Sequence, residues 1–175
     1  MPLNNLLLSS CLLPGKTSYT EKGVEINIKP SSGETILFFC IDNQSNPNCN
    51  LRQLLGLDRE GMKICDLIVF YAKENIRIIC FVELKGGHIK TATEQVITTY
   101  KYFLKFLKQC GTSLNFIPKV YIKSNSSAPQ EIDKYKQQLK EQFGDGNYDI
   151  SKNSDLGDFL RGVEYQPKGK RKKGK

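Results

Sequence analysis

Two almost uninterrupted apolar runs, separated by three polar residues, constrain the fold of this chain more than any other feature. The first run is CDLIVFYA at residues 65–72, and the second is IRIICFVELK at residues 76–85. A strand with one face in water alternates apolar and polar residues, whereas these runs are largely apolar on both faces. The pattern predicts two neighbouring central strands, joined as a hairpin, in a sheet covered on both sides.

Four further strands are expected around this pair. VEINIKP at residues 24–30 and TILFFCID at residues 35–42, with turn chemistry between them, predict another hairpin. IPKVYIKS at residues 117–124 predicts a strand that follows a helix, and NYDISKN at residues 147–153 predicts a short edge strand.

Two longer segments have helical periodicity. Residues 91–111 place Thr91 and Glu94 in capping-box spacing and close on a glycine, which predicts the clearest helix of the chain. Residues 127–144 repeat apolar side chains at helical spacing and stop at Gly144, which predicts an amphipathic helix. Short helical turns are expected at residues 51–57 and 155–162.

The length of 175 residues, with no internal repeat and no linker, predicts one domain over residues 1–166 and a basic tail over residues 167–175. The tail holds 6 of the 26 Lys and Arg, which leaves 20 basic against 18 acidic residues in the domain. Because it has no apolar residue, the tail is predicted to be disordered in isolation. It is read either as a solubilising or expression-derived end or as a phosphate contact through Lys170, Arg171, Lys172 and Lys173.

Six cysteines leave open a disulfide framework or a set of reduced thiols. Two of them lie in the apolar runs and no CxxC pair occurs, so reduced and mostly buried thiols in a cytoplasmic protein are predicted. No Lys or Arg precedes the first apolar residues, and Asn and Ser interrupt them, so no export signal is expected. No stretch has the length of a transmembrane helix, so no membrane partner is expected.

Opposite charges end the second apolar run. Because side chains alternate across a strand, Glu83 and Lys85 are expected on one face. If Glu74 and Asn75 form a two-residue turn, Asp66 lies directly opposite Glu83, with Cβ atoms about 5 Å apart, and like charges so placed destabilise a sheet. A divalent cation would offset this repulsion, since carboxylate oxygens are ligands that Mg²⁺ accepts. A longer turn would aim the two groups differently.

Hydrolysis of a phosphodiester is the chemistry that suits such a group. A metal ion polarises the phosphoryl oxygen and lowers the pKa of a bound water. The ammonium of Lys85 would orient that water or stabilise the transition state. Solvated strand-end charges are the alternative explanation of each residue taken singly.

The segment CDLIVFYAKENIRIICFVELKGG, followed by a helix that carries Gln95, resembles the PD-(D/E)XK nuclease superfamily, the restriction-endonuclease-like fold. The resemblance covers roughly residues 60–122. It implies an α/β fold with a central mixed sheet flanked by helices, in the core order helix, three strands, helix, strand (αβββαβ). It also implies that Asp66 and Glu83 bind the metal, that Lys85 completes the motif and that Gln95 lies near the site.

Three departures from the family pattern stand in this sequence. Cys65 occupies the place where the motif often has proline, and Tyr100 comes five residues after Gln95 where four are often seen. The family's additional upstream acid has no clear counterpart, and Glu34 and Glu25 are the candidates. The metal site is therefore expected to rest on the two acids of the paired strands.

The expected function is a Mg²⁺- or Mn²⁺-dependent nuclease that cleaves DNA, as an endonuclease. His88 and Lys90 are weaker candidates for nucleic-acid contact, His88 having the alternative of a loop residue without a catalytic task. The family analogy suggests a homodimer, and the small charge excess leaves specificity to a protein partner or to DNA structure. The alternatives are a non-catalytic nucleic-acid-binding or assembly subunit with the same fold, and a redox or metal module built on the cysteines.

Overall fold

The computed structural model describes residues 2–42, 49–58, 61–85, 88–112, 114–125 and 131–162, with Lys85 described by its backbone. The predicted tail and the two glycines after Lys85 lie outside these residues. The strands are β1 (Leu12–Leu13), β2 (Ser18–Glu21), β3 (Val24–Asn27), β4 (Glu34–Cys40), β5 (Leu67–Lys73), β6 (Ile76–Lys85), β7 (Ile117–Ser124) and β8 (Tyr148–Ser151). The helices are α1 (Pro2–Leu7), α2 (Leu51–Leu55), α3 (Ile89–Gln109), α4 (Ile132–Phe143) and α5 (Gly157–Arg161).

Six of the strands form one mixed sheet in the order β1-β4-β5-β6-β7-β8. The pairs from β1 to β6 are antiparallel, whereas β6, β7 and β8 are parallel. The change of direction follows from α3, which carries the chain back from the end of β6 to the start of β7. The predicted general class, an α/β protein with a central mixed sheet and flanking helices, is confirmed.

Each face of the sheet has its own apolar core. On one face, α3 and α4 bury side chains such as Val96 and Leu139 against Phe81 of β6. On the other face, the β2–β3 hairpin and α5 bury Ile26 and Leu160 against the alternate residues of the same strands. Burial on both faces is the reason that the two central runs are almost wholly apolar.

The central hairpin matches its prediction. Lys73 of β5 pairs with Ile76 of β6, so that Glu74 and Asn75 form a two-residue turn. Glu74 has a positive φ of 50°, the backbone conformation that such tight turns require. The antiparallel register on which the placement of Asp66 depends is therefore present.

The hairpin predicted from residues 24–30 and 35–42 is wrong. β3 pairs with β2 in a separate two-stranded sheet, with Glu21 opposite Val24, and β4 pairs with β1 and β5. The apolar side of β3 lies against the face of the large sheet, so its alternating pattern reflects stacking instead of pairing with β4. The Lys22–Gly23 turn, with both residues at positive φ, is the signal for the true hairpin.

The main helices are confirmed, with one correction. α4 ends at Phe143 with Gly144 as its C-cap, as predicted. α3 begins at Ile89, two residues before the predicted start, so Thr91 and Glu94 lie inside the helix and form no capping box. Glu94 instead pairs with Lys63 at 2.7 Å.

The prediction that all six cysteines are reduced is wrong for two of them. Cys11 and Cys49 form a disulfide, with Cα atoms 5.0 Å apart, while Cys40, Cys65, Cys80 and Cys110 are free. Pairing of β1 with β4 brings Cys11 close to the chain that enters α2, a proximity that the 38-residue separation conceals. Within the described ranges, no helix has the length and apolarity needed to span a bilayer.

Candidate functional site

The two predicted acids lie side by side at one end of the central sheet. Leu67 pairs with Val82, and the next position along both strands brings Asp66 opposite Glu83. Asp66 is 2% exposed and Glu83 is fully buried. Two carboxyl groups are thus gathered where β6 ends and β5 begins.

Hydrogen bonds to the backbone fix both carboxylates. Asp66 Oδ2 accepts the amide of Leu84 at 2.7 Å, and Glu83 Oε2 accepts the amide of Asp66 at 3.2 Å. Each acid is therefore tied to the strand that carries the other. This reciprocal arrangement restricts the rotamers of both side chains and holds them at the ends of the two central strands.

Two side chains of α3 hold the chain that leads into Asp66. Gln95, 7% exposed, donates from Nε2 to the carbonyl of Ile64 at 2.8 Å. Thr99, fully buried, accepts the amide of Cys65 at 2.9 Å and donates to the carbonyl of Gln95 at 2.8 Å. Gln95 therefore contacts the chain two residues before Asp66, and its part in a site stays a prediction, with an ordinary polar residue at the helix boundary as the alternative. Thr99 was not predicted, and its position one helical turn after Gln95 is the signal that identifies it.

Lys85, His88 and Lys90 follow Glu83 along the chain into α3. The backbone of Lys85 pairs with Ser124 of β7, and its side chain is outside the described part of the protein. His88 is exposed and precedes α3, and Lys90 is exposed in its first turn. The four predicted phosphate contacts of the tail, residues 170–173, fall outside the described residues.

The buried carboxylates alter the thiol beside them. Burial, together with the charge of Glu83 and Asp66, raises the pKa of Cys65 well above its usual value. Burial and the neighbouring carboxylates therefore favour the protonated form of this thiol. The expected ligands remain oxygens.

The upstream acids considered as further ligands lie elsewhere. Glu34 is at the opposite end of β4, paired with Lys73 in register, and its carboxylate binds Arg161 at 2.8 Å through each oxygen. Glu25 is exposed on β3 opposite Thr20. Neither glutamate lies at the strand ends that carry Asp66 and Glu83. In the part of the chain that the structure describes, no three His, Cys, Asp or Glu side chains form a group that could hold a metal ion.

Comparisons with protein-family models, with curated proteins and with solved structures give no significant match. The functional assignment therefore depends on the site itself.

Proposed function

We propose that this protein is a divalent-metal-dependent endonuclease of the PD-(D/E)XK type, which hydrolyses phosphodiester bonds of DNA. The observation that carries the proposal is the pairing of Asp66 with Glu83 on adjacent central strands. The register brings the two carboxylates together, and the reciprocal backbone hydrogen bonds hold them there. Two adjacent buried acids cost stability, and an offsetting cation gives them a reason to be adjacent.

The order of the elements supports the proposal. Three consecutive antiparallel strands, β4, β5 and β6, are followed by α3 and then by β7, parallel to β6. The resemblance implies this succession of three strands, helix and strand. The short helix α2 between β4 and β5, and three strands between α1 and β4, are additions to it.

The donor set suits a hard divalent cation. Asp66 and Glu83 offer carboxylate oxygens, the ligand type of Mg²⁺ and Mn²⁺, and Mg²⁺ commonly keeps several waters beside one or two protein carboxylates. Asp66 and Glu83 would hold this ion. When bound, the ion supplies an activated water and neutralises charge on the phosphate.

The chain's own residues have separate tasks in this proposal. The amides of Leu84 and Asp66 orient the two carboxylates, and Gln95 fixes the entry of the chain into Asp66. Lys85 is assigned the orientation of the attacking water or the stabilisation of charge on the phosphoryl oxygens. His88 and Lys90, both exposed nearby, are assigned weaker contacts with the DNA backbone. A homodimer or a partner protein would supply specificity.

The burial of Asp66 and Glu83 favours one alternative, a protein of the same fold that does not catalyse cleavage. Asp66 and Glu83 are 2% and 0% exposed, whereas a catalytic metal must be reached by a phosphate. A non-catalytic nucleic-acid-binding or assembly subunit with the same fold needs no such access. Binding of DNA without cleavage, and without uptake of a divalent ion, would support this alternative.

The decisive experiment incubates the full chain with single-stranded, duplex and branched DNA and with RNA, in Mg²⁺, Mn²⁺ or EDTA. Asp66→Asn is tested in parallel, and Asp133→Asn, which neutralises an exposed acid of α4, is the matched control. We expect metal-dependent cleavage by the wild type and the control but not by Asp66→Asn. Equal cleavage by both variants, with melting temperatures unchanged, would refute the assignment.

A further inference from the structure

A cavity lies on the face of the sheet away from α3. Its volume is about 520 Å³, within the range of ligand-binding pockets. Its lining includes Tyr121 of β7 and Asp149 of β8, which pair in register, and Phe159 of α5. The cavity therefore lies between the edge of the sheet and the last described helix, and it is open to solvent.

Acidic side chains outnumber basic ones in the lining of this cavity. It includes Asp149, Asp155 and Asp158, against the single ammonium of Lys119. Lys119 already donates to the carbonyl of Phe159 at 2.8 Å and lies 4.5 Å from the centre of that ring. The net charge of the lining is therefore negative, and it suits a cationic occupant.

Two of the acids act on the same buried phenol. Asp149 pairs with Tyr121 in register, and the Tyr121 hydroxyl donates to the carbonyl of Asn153 at 2.6 Å, two residues before Asp155. Burial raises the pKa of Tyr121, and the charges of Asp149 and Asp155 raise it further. Burial also raises the pKa of Asp149. Asp149 is thus incompletely hydrated, and a cation beside it would replace part of the lost solvation.

The chain leaves the described structure at the rim of this cavity. α5 ends at Arg161, and Gly162, at a positive φ of 71°, lines the cavity. Residues 163–175 follow, and the last nine of them hold six Lys and Arg. Lys168 follows Gly162 by six residues, which span at most about 20–22 Å when fully extended, so the first basic residue of the tail is confined to that distance from Gly162. Such tethering gives an effective concentration in the millimolar range.

We propose that this cavity is the docking site for basic side chains of the chain's own residues 163–175. Lys and Arg side chains match the negative lining, and their tether begins at the rim. The proposal does not rest on the nuclease assignment. If both hold, DNA and the cavity compete for the same basic residues, so docking would lower the affinity for DNA.

The test uses full-length protein and a fluorescent synthetic peptide of residues 163–175, by anisotropy at pH 7 without DNA or metal. A tail-neutral chain replaces all six basic residues of the 167–175 segment by Gln (Lys168→Gln, Lys170→Gln, Arg171→Gln, Lys172→Gln, Lys173→Gln and Lys175→Gln). We expect this chain to bind the peptide. The wild type should bind it more weakly, because its own tail occupies the cavity.

Charge variants of the tail-neutral chain locate the peptide. Asp149→Asn with Asp158→Asn should weaken binding about tenfold or more, as expected for lost charge-assisted hydrogen bonds. Asp133→Asn with Glu141→Gln, which removes equal charge from exposed positions of α4, should leave binding unchanged. If the double cavity variant melts early, Asp158→Asn alone provides the comparison.

Two results would overturn the proposal. Peptide affinity that is the same for the folded cavity variant and its tail-neutral parent would show that the acids are not the site. Equal peptide affinity of the wild-type and tail-neutral chains would show that the tail does not occupy the cavity in the intact protein.

Discussion

Neutralising Glu34 should remove a large part of the stability of this fold. Glu34 has no exposed side-chain surface, and its two oxygens accept hydrogen bonds from Arg161, 127 residues away in sequence. Tyr71 and the amide of Ser31 donate to the same carboxylate at 3.0 and 2.8 Å. The carboxylate thereby joins α5 to β4 and β5 across one face of the sheet.

The magnitude follows from the pKa of Glu34. The hydrogen bonds from Arg161, with those from Ser31 and Tyr71, lower this pKa from 4.5 to about 2, against the opposing effect of burial. Such a shift corresponds to about 3 kcal/mol of stabilisation by the charged form. We therefore expect Glu34→Gln to lower the free energy of unfolding at pH 7 by about 3 kcal/mol, since Gln keeps the shape but loses the charge.

The stabilisation by the Glu34 carboxylate should decrease as the pH falls. Because the folded pKa of Glu34 is depressed, its contribution is complete above the ordinary pKa of 4.5 and is lost as the pH falls towards 2. Urea unfolding of wild type and Glu34→Gln should show a constant gap above about pH 5, which falls to less than half by about pH 3. Glu25→Gln, at an exposed position, should change stability by less than about 0.5 kcal/mol. A gap below about 1 kcal/mol, or one independent of pH, would refute the reasoning.

Three further predictions concern the candidate site and the basic tail. Thr99→Val should weaken Mn²⁺ binding in calorimetry and lower the free energy of unfolding by about 1–2 kcal/mol, because the amide of Cys65 loses its buried acceptor. Thr99→Ser keeps the hydroxyl and should retain both Mn²⁺ binding and stability. Equal Mn²⁺ binding by Thr99→Val and wild type would exclude a positioning role. Lys85→Ala should abolish cleavage and keep Mn²⁺ binding, and cleavage at the wild-type rate would remove Lys85 from the mechanism. Deletion of residues 167–175 should lower the affinity for DNA and the slope of its salt dependence without ending cleavage; an unaltered slope would show that the tail is not part of the binding surface.

The central hairpin was predictable because its signals are local. Residues 65–72 and 76–85 are largely apolar on both faces, and the short polar segment between them predicts a tight turn. Turn length fixes which residues are opposite, so the proximity of Asp66 to Glu83 was predicted on the condition of a two-residue turn, which the structure shows. The general α/β class followed likewise from the alternation of strands and helices.

What could not be predicted depends on contacts between distant segments. The alternating pattern of β3 fits either pairing beside β4 or stacking on the face of the large sheet. The segment that contacts its apolar side decides between them, and the residue pattern does not identify that segment. The disulfide of Cys11 with Cys49 and the ion pair of Glu34 with Arg161 likewise join parts of the chain that only the fold brings together. The sequence alone does not distinguish Glu34 as an ion-pair partner from Glu34 as a metal ligand, because both tasks need the same carboxylate.

The most direct test of the central claim is the rate of Mg²⁺-dependent cleavage of supercoiled plasmid by wild type and Glu83→Gln. Glu83→Gln keeps an oxygen that can accept the Asp66 amide but removes one of the two charges that would hold the ion. The account predicts at least a ~10²-fold slower rate for the folded variant, comparable to the loss of a principal electrostatic group in other active sites. An unchanged rate would contradict it.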